Sequence, residues 1–170
     1  MKIVDAELAG VKIIYPNNDF IDYRGIYKEI YNEKLYEGLG VKFVQDDISI
    51  SKKGTLRGLH GDQGTYKLIS CLSGAFELGI INCDKDSKEF GKTEKFYLDG
   101  SVTNNIQVLI PPKFANGHLV LEDHTIFHYK QSTYYGDYPQ FTVKWDIMSW
   151  REQHPILSLR DQIGPFMEIK

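Results

Sequence analysis

The sequence predicts an all-β protein, an antiparallel jelly roll or a similar barrel. The 170-residue chain is 13% aromatic, with eleven tyrosines and nine phenylalanines, and these residues favour strands. From Phe43 onwards, short runs of β-branched and aromatic residues alternate with turn residues, a spacing typical of a sandwich or barrel. No convincing amphipathic helix separates these runs. The interior of such a barrel can be wide enough to hold a ligand.

At least eight strands are predicted in this part of the chain. Polar turns at residues 52–54 and 73–74 separate neighbouring strands, and a charged loop is expected at residues 84–91. The predicted strands cover residues 41–45, 48–51, 66–72, 75–82, 92–98, 106–110, 118–121, 124–131 and 140–145.

Two segments are candidates for helix. In residues 25–35, Ile26 and Ile30 approximate a helical stripe, although tyrosines dilute it. Residues 158–162 are expected to form one helical turn, capped by Ser158 and closed by Gly164. Because no repeat, low-complexity segment or linker interrupts the sequence, residues 1–170 are predicted to form a single domain.

Charge and cysteine content argue against several classes of protein. The net charge of -3 and the pI near 5.9 do not suit a nucleic-acid-binding protein, so any anion site must be local. Cys71 and Cys83 lie in apolar runs without a Cys-x-x-Cys pair, which predicts buried free thiols. Asp5 and Glu7 interrupt any signal-peptide core, and no apolar run approaches ~18 residues. We therefore expect a cytoplasmic protein with no membrane partner.

The spacing of the histidines argues against a metal centre. A metal site in a barrel typically needs two histidines one residue apart on a strand, but the residue two positions after His60 is Asp62. His124 and His128 are four residues apart on a predicted strand, too far to chelate one ion. His118 and His124 flank a turn and could approach each other, so a metal-dependent enzyme stays an alternative.

Nucleophilic and phosphate-cradling motifs are also missing. The sequence has no Gly-x-Ser-x-Gly elbow, no cysteine beside a basic residue and no Gly-x-Gly-x-x-Gly loop. Of the catalytic strategies considered, general acid-base catalysis is the one that remains. His60, Asp161, Lys67 and Tyr129 are groups that can remove a proton beside a carbonyl and return one on the other face.

The run at residues 54–60 places an arginine and a histidine around a glycine. On a regular strand, Arg57 and His60 would lie on opposite faces. A bulge at Gly58 would turn both side chains towards one cavity. Taken alone, the run also fits a surface arginine and an ordinary hydrogen-bonded histidine.

Ordered motifs along nearly the whole chain resemble the dTDP-4-dehydrorhamnose 3,5-epimerase family. They include Glu29, Tyr31, Asn32 and the runs at residues 20–25, 45–51, 54–60, 110–111, 114–118, 129–135, 145–146 and 155–161. This resemblance implies a cupin-type jelly roll and a homodimer in which strands are exchanged between subunits. It also implies catalysis without a metal or organic cofactor.

The resemblance further implies a substrate and a mechanism. The substrate is a nucleotide-linked 4-keto-6-deoxy hexose or a close relative, whose ketone acidifies the protons on C3 and C5. His60 matches the general base, Asp161 the carboxylate that orients it, and Tyr129 the acid that reprotonates the opposite face. Lys67 matches the cation beside the enolate oxygen.

Other residues match positions that bind the nucleotide. Arg57 matches the diphosphate ligand, for which its bidentate fork is suited. Tyr135 matches the aromatic residue that stacks on the base. Four residues match positions that line the nucleotide site across the dimer interface, namely Phe20, Arg24, Glu29 and Gln45.

The chain departs from the family pattern at three positions. The family usually has asparagine, histidine and phenylalanine where this chain has Asp47, Asn116 and His118. An ionised aspartate cannot donate a hydrogen bond and repels a diphosphate. These departures predict a GDP-linked 4-keto heptose, used for capsule, LPS or another surface polysaccharide, in preference to dTDP-4-keto-6-deoxyglucose. CDP-linked or other dTDP-linked sugars are further alternatives.

The number of inverted centres is a separate expectation. Tyr129, as the acid for C5, favours epimerisation at both C3 and C5. The alternatives are a C3-only epimerase, a 3,4-ketoisomerase with His118 as its second histidine, and a non-catalytic cupin that binds a sugar nucleotide.

Overall fold

A computed structural model describes residues 1–16, 19–101 and 105–169. Within these ranges the chain forms thirteen strands and four short helical segments. The strands are β1 Lys2–Asp5, β2 Lys12–Tyr15, β3 Asp19–Asp22, β4 Gly25–Lys28, β5 Gln45–Ser51, β6 Leu56–Gly61, β7 Lys67–Ser73, β8 Ala75–Asn82, β9 Thr93–Asp99, β10 Gln107–Ile110, β11 Phe114–Val120, β12 Thr125–Gln131 and β13 Phe141–Thr142. The helical segments are α1 Glu33–Tyr36, α2 Leu159–Ile163 and single 3-10 turns at Glu37–Leu39 and Trp145–Ile147.

Two antiparallel sheets form the body of the structure. One has the strand order β1-β2-β10-β7-β12-β5, and the other has the order β13-β6-β11-β8-β9. Strands β3 and β4 form a separate hairpin. Many neighbours in each sheet are distant in sequence, such as β10 between β2 and β7, which is typical of a jelly roll. The predicted all-β antiparallel fold is confirmed.

The apolar core lies between the two sheets. Ile69 and Phe127 from the six-stranded sheet meet Phe76, Leu78 and Leu98 from the five-stranded sheet in one cluster. Every residue of β8 is buried, because both of its faces are covered. In contrast, exposure alternates along the edge strand β5, as expected for a strand with one face in solvent. A single domain over residues 1–170 stays a prediction.

Strand β6 contains the bulge that the sequence suggested. His60 pairs with Asn116 and Arg57 with His118, so three steps along β6 match two steps along β11. Gly58 lies inside this interval with φ +119°, and a Cβ on it would lie 2.6 Å from the Cα of Gly117. Only a residue without a side chain fits this conformation and this contact.

One of the two predicted helices is wrong and the other is confirmed. Residues 25–35 were expected to be helical, but Gly25–Lys28 is strand β4, and the helix covers only Glu33–Tyr36 after the Asn32 cap. The isoleucines and tyrosines of this segment favour a hairpin over a weak helical stripe. Helix α2 begins at the Ser158 cap, and the N–H of Gly164 closes it on the carbonyl of Arg160.

Several strand bounds differ from those predicted. Residues 41–44 form a loop, and the strand at 140–145 shrinks to Phe141–Thr142 before a 3-10 turn. Strand β11 begins at Phe114, whereas the predicted strand began at residue 118, because Gly117 interrupts the strand-like sequence. Strands β1 to β4 were not predicted, since each is only four residues long.

The two cysteines are buried and free, as predicted. Burial raises the pKa of the Cys71 thiol to about 12 and that of Cys83 to about 11, so both are unreactive at neutral pH. None of the helices in the described ranges has the length and apolar character needed to cross a bilayer.

Replacing Gly58 with alanine tests the bulge. We expect Gly58→Ala to lower the free energy of unfolding by about 1–3 kcal/mol through backbone strain, with a further loss from the contact with Gly117. Urea unfolding measures this change. Gly54→Ala is the matched control, because Gly54 also has a positive φ of +83° but has no atom within 4 Å of the added Cβ. Equal losses in the two variants would show that crowding in the bulge is unimportant.

Candidate active site

A cavity of about 540 Å³ opens between the two sheets beside the core. Arg57 and His60 reach it from β6, because the extra residue in the bulge brings both side chains to one face. Lys67 and Tyr129 reach it from the six-stranded sheet. The complete lining is Ile48, Ser49, Thr55, Leu56, Arg57, His60, Lys67, Asn116, His118, Phe127, Tyr129, Gln131, Gln140, Ile156, Leu157, Ser158 and Asp161.

His60 and Asp161 form a hydrogen-bonded pair at the wall of this cavity. Nε2 of His60 lies 2.6 Å from Oδ1 of Asp161, although the two residues are 101 positions apart in sequence. The C-terminal segment reaches β6 through a backbone pairing between Thr55 and Ile156. Since a carboxylate only accepts, the proton of a neutral His60 lies on Nε2, and the lone pair of Nδ1 is left for base catalysis.

Asp161 is held by several donors at the start of α2. Its Oδ2 accepts from Oγ of Ser158 at 2.9 Å and from the backbone N–H of Gly58 at 3.4 Å. Burial by itself raises the pKa of Asp161, but the hydrogen bond and charge of His60 and the two other donors outweigh it, so the pKa lies below its usual value. The carboxylate is therefore ionised at neutral pH.

Lys67 enters the cavity from the wall opposite β6. Its ammonium donates to the carbonyl of His60 at 3.4 Å and to Oδ1 of Asn116 at 3.3 Å. Only 8% of the residue is exposed, and this burial lowers the pKa of Lys67. Asp62 acts in the opposite direction and Arg160 adds to the lowering. A partly desolvated cation of this kind interacts strongly with an oxyanion.

Tyr129 lies on β12, in the same sheet as Lys67. Burial raises the pKa of Tyr129 to about 12, and the neighbouring Asp47 and Tyr135 side chains add to this effect. The phenol therefore keeps its proton at neutral pH and can act as an acid. His60 and Tyr129 approach the cavity from different sheets, so they can address two faces of a bound molecule.

A cation and a hydrogen-bond network mark the rim. Arg57 is exposed, and its Nε donates to Oγ of Ser51 at 3.1 Å. Asp47 accepts from the side-chain amides of Gln45 at 2.7 Å and Gln131 at 2.8 Å. The backbone N–H of Tyr135 donates to the side-chain Oε1 of Gln45 at 2.8 Å. Asp47 thereby fixes the segment that carries Tyr135, whose side chain is exposed.

Six of the residues assigned to substrate binding do not line the cavity of the single chain, namely Phe20, Arg24, Glu29, Gln45, Asp47 and Tyr135. Phe20 and Arg24 belong to the β3-β4 hairpin, where Phe20 is 66% exposed and Arg24 pairs with Asp22 at 2.6 Å. Glu29 accepts from the amide of Asn32 at 3.2 Å and lines a separate cleft. Phe20, Arg24 and Glu29 therefore form no part of this cavity within one chain.

The profile of the family described as dTDP-4-dehydrorhamnose 3,5-epimerase matches residues 5–168. The chain belongs to this family. The predicted membership and the predicted enzyme class, an isomerase, are therefore confirmed.

Individual relatives agree with this assignment. The dTDP-4-dehydrorhamnose 3,5-epimerase of Shigella flexneri is 36% identical over 96% of this chain and 94% of the relative. The Bacillus anthracis structure of an enzyme with the same description, with TDP and PPi bound, is 36% identical, covers 98% of this chain and 99% of that chain, and has a TM-score of 0.87. A Legionella pneumophila dTDP-6-deoxy-D-glucose-3,5-epimerase, in complex with dTDP-4-keto-L-rhamnose, is 33% identical over 96% of this chain and 90% of that chain, with a TM-score of 0.87. The predicted cupin-type jelly roll is thus confirmed.

The cavity of this family member contains polar residues that sequence reasoning missed. Ser158 donates to Asp161, and Gln131 donates to Asp47. Ser49 and Gln140 also line the cavity. The helix-cap position of Ser158 was the available signal, whereas the alternation of β5 and β12 could have placed Ser49 and Gln131 on the inward faces.

His118 lies where the cavity of the epimerase meets the apolar core. The residue is 4% exposed, and its ring stacks on Phe127 at 3.9 Å between centroids. Burial lowers the pKa of His118 to about 3, and the neighbouring Arg57 and His60 side chains add to this, so the imidazole is neutral. His118 and Asn116 both line the cavity, and their role in binding the substrate stays a prediction.

The described ranges contain no group of three or more His, Cys, Asp or Glu side chains arranged to hold a metal ion. His118 and His124, the pair left open by sequence, do not form such a group. Catalysis without a metal or cofactor stays a prediction for this epimerase.

The substitution Asp161→Asn tests whether the carboxylate that pairs with His60 is ionised. Because the pKa of Asp161 is lower in the folded state than in the unfolded chain, its carboxylate stabilises the fold fully above about pH 4, and this contribution is lost as the pH falls through the lowered value. We expect Asp161→Asn to cost about 1–3 kcal/mol at pH 7 and much less near pH 2. Urea unfolding at both pH values measures the difference. Ser158→Ala should act in the same direction but less strongly, and a cost that is independent of pH would contradict the assignment.

Proposed function

We propose that this enzyme epimerises C3 and C5 of a dTDP-linked 4-keto-6-deoxy hexose through an enolate. The observation that carries the proposal is the His60–Asp161 pair, which faces one cavity together with Lys67 and Tyr129. The names of the relatives support the substrate class.

The reaction begins when His60 removes the proton from C3. The electron pair of the broken C–H bond forms a C3–C4 double bond, and the ketone oxygen becomes an enolate oxygen. Asp161 stabilises the imidazolium that forms, and Lys67 stabilises the oxyanion in a poorly hydrated cavity. A proton delivered from solvent to the other face of C3 regenerates the ketone with inverted configuration, and the imidazolium of His60 releases its proton to solvent.

Epimerisation at C5 repeats these steps on the other side of the ketone. Tyr129 is the acid that we assign to the opposite face of C5, because its phenol is protonated at neutral pH and lies on the wall facing β6. Tyr129 takes its proton back from solvent after each turnover. A C3-only epimerase, a 3,4-ketoisomerase and a binding protein without activity are the alternatives that exchange experiments separate.

We propose dTDP as the nucleotide, in place of the GDP-linked heptose predicted from Asp47, Asn116 and His118. The comparisons name dTDP-sugar enzymes and give no support to a GDP-linked substrate. In the structure Asp47 accepts hydrogen bonds from two side-chain amides and supports the loop of Tyr135, so its carboxylate already has partners within the chain and does not require a different nucleotide. Arg57 is the proposed diphosphate ligand, and Tyr135 stacks on the base.

A homodimer with strand exchange completes the proposed nucleotide site. The β3-β4 hairpin exposes apolar side chains, including Phe20 at 66%, Ile21 at 67% and Tyr27 at 71%. An apolar hairpin of this kind is expected to be covered by another protein surface. In the dimer we place Phe20, Arg24 and Glu29 of one subunit beside Gln45 and the cavity of its partner. A role in surface polysaccharide synthesis and a cytoplasmic location stay predictions.

Deuterium exchange tests the proposed reaction. Incubation of dTDP-4-keto-6-deoxyglucose with the enzyme in heavy water should introduce deuterium at C3 and at C5. His60→Asn should lower exchange at both carbons by roughly 10²–10⁴-fold, because both protons leave to one base. Mass and proton spectra measure the incorporation.

Tyr129→Phe separates the two centres and serves as the matched variant. It should lower exchange at C5 more than exchange at C3, because only the acid for one face is removed. Deuterium at C3 alone in the wild-type enzyme would indicate a C3-only epimerase, and a 3-keto product would indicate a ketoisomerase. No incorporation from dTDP-, GDP- or CDP-linked 4-keto sugars would leave a binding protein.

Subunit complementation tests the shared nucleotide site. Arg24→Ala and His60→Ala should each lower kcat/KM strongly as pure dimers. When the two variants are unfolded together and refolded, a hybrid dimer should contain one intact site, formed by the hairpin of one chain and the cavity of the other. Activity should therefore return in the mixture. Mixing Asp161→Ala with His60→Ala is the control, because both changes lie in the same cavity, and restored activity there would contradict strand exchange.

A further inference from the structure

The floor of the cavity combines an aromatic stack with polar atoms that have no partner. The rings of His118 and Phe127 are 3.9 Å apart at their centroids and inclined by only 6°. Phe76 lies 5.5 Å from His118 on the core side. Within the described part of the chain, Nε2 of His118 and Oγ of Ser49 are covered and have no hydrogen-bond partner.

These two unpartnered atoms lie on either side of the same phenylalanine. Ser49 is the cross-strand partner of Phe127, and His118 stacks on Phe127 from the other sheet. Both residues line the cavity. A buried polar group without a partner destabilises a fold, so two such groups beside a cavity indicate a hydrogen-bonding position that a ligand fills.

Strand register locates this position relative to the reacting groups. On β11, Asn116 is opposite His60, whereas His118 is opposite Arg57. His118 therefore lies on the Arg57 side of the base. Lys67, the cation assigned to the ketone oxygen, contacts Asn116 and the carbonyl of His60, so it lies level with the base and further from Arg57.

The substrate is expected to lie along the line from Arg57 to Lys67. With the diphosphate at Arg57 and the C4 ketone at Lys67, C1 of the hexose is directed towards Arg57 and C4 towards Lys67. C2 and the ring oxygen flank C1. Of these two, only the hydroxyl on C2 can both donate and accept a hydrogen bond.

We infer that His118 is a specificity-determining residue that hydrogen-bonds the C2 hydroxyl of the hexose, with Ser49 as its neighbour. The inference rests on the proposed function in taking the ligand to be a nucleotide-linked hexose. Neutral imidazole carries one donor and one acceptor, so it can bind a hydroxyl in either orientation. The two atoms are covered in the free chain, so the inference includes a small rotation of each side chain towards the cavity when the ligand binds. A hydrogen that replaces this hydroxyl leaves His118 and Ser49 unpaired.

The test compares two ligands that differ only at C2. We measure the Kd of dTDP-glucose and of dTDP-2-deoxyglucose by titration calorimetry. The wild-type enzyme should bind the 2-deoxy ligand roughly 10- to 100-fold more weakly, the penalty for an unpaired buried hydrogen-bonding group. His118→Phe should bring the ratio of the two Kd values close to one, and Ser49→Ala should lower it partially.

Stability provides an independent readout. Because phenylalanine has a similar shape and no polar atom, His118→Phe should raise Tm by about 2–4 °C or more while it removes the discrimination. His128→Phe is the matched control. His128 is also buried with an unpartnered ring nitrogen, Nδ1, but it lies on the outer face of β12 beside Asp46, so the ratio should stay at the wild-type value.

Two results would overturn the inference. One is a wild-type Kd ratio near one, a measurement that does not depend on the folding of any variant. The other is a wild-type ratio that survives in folded His118→Phe. A wild-type enzyme that shows the ratio but incorporates no deuterium refutes the proposed reaction and leaves the subsite standing, so the two proposals fail separately.

Discussion

The close backbone contact between Gly58 and Gly117 is the constraint on which the site depends. It accommodates one extra residue in β6, and that residue brings Arg57 and His60 to one cavity although a regular strand would separate them. The same turn of chain directs the N–H of Gly58 to Asp161. One irregularity in a strand therefore positions the proposed anion ligand, the base and the partner of the base.

Burial has one consistent effect on the other walls of the cavity. It lowers the pKa of Lys67 and His118 and raises the pKa of Tyr129, and in each case it favours the neutral form. Asp161 is the exception, because three donors hold its carboxylate ionised. An enolate formed between these walls would meet few competing charges and little water, so its interaction with Lys67 would be strong.

Sequence patterns predicted the central strands well and the N-terminal strands poorly. Residues 75–82 were predicted as a strand with its exact bounds, because continuous apolar sequence between turns is typical of a buried strand. The segment at 25–35 was mistaken for a helix, since its isoleucines satisfy both a hairpin and a weak helical stripe. Strands of four residues carry too little pattern to separate these outcomes, and their pairing partners decide the result.

The sequence by itself determined the all-β class, the family and the residue types of an acid-base site, because periodicity and ordered motifs are local properties of the chain. Only the tertiary structure decided that Asp161 meets His60 across 101 positions, that Asp47 is paired with two amides, and that His118 is neutral at the cavity floor. Distances and desolvation depend on which strands become neighbours in the two sheets. No single segment of the chain contains that information.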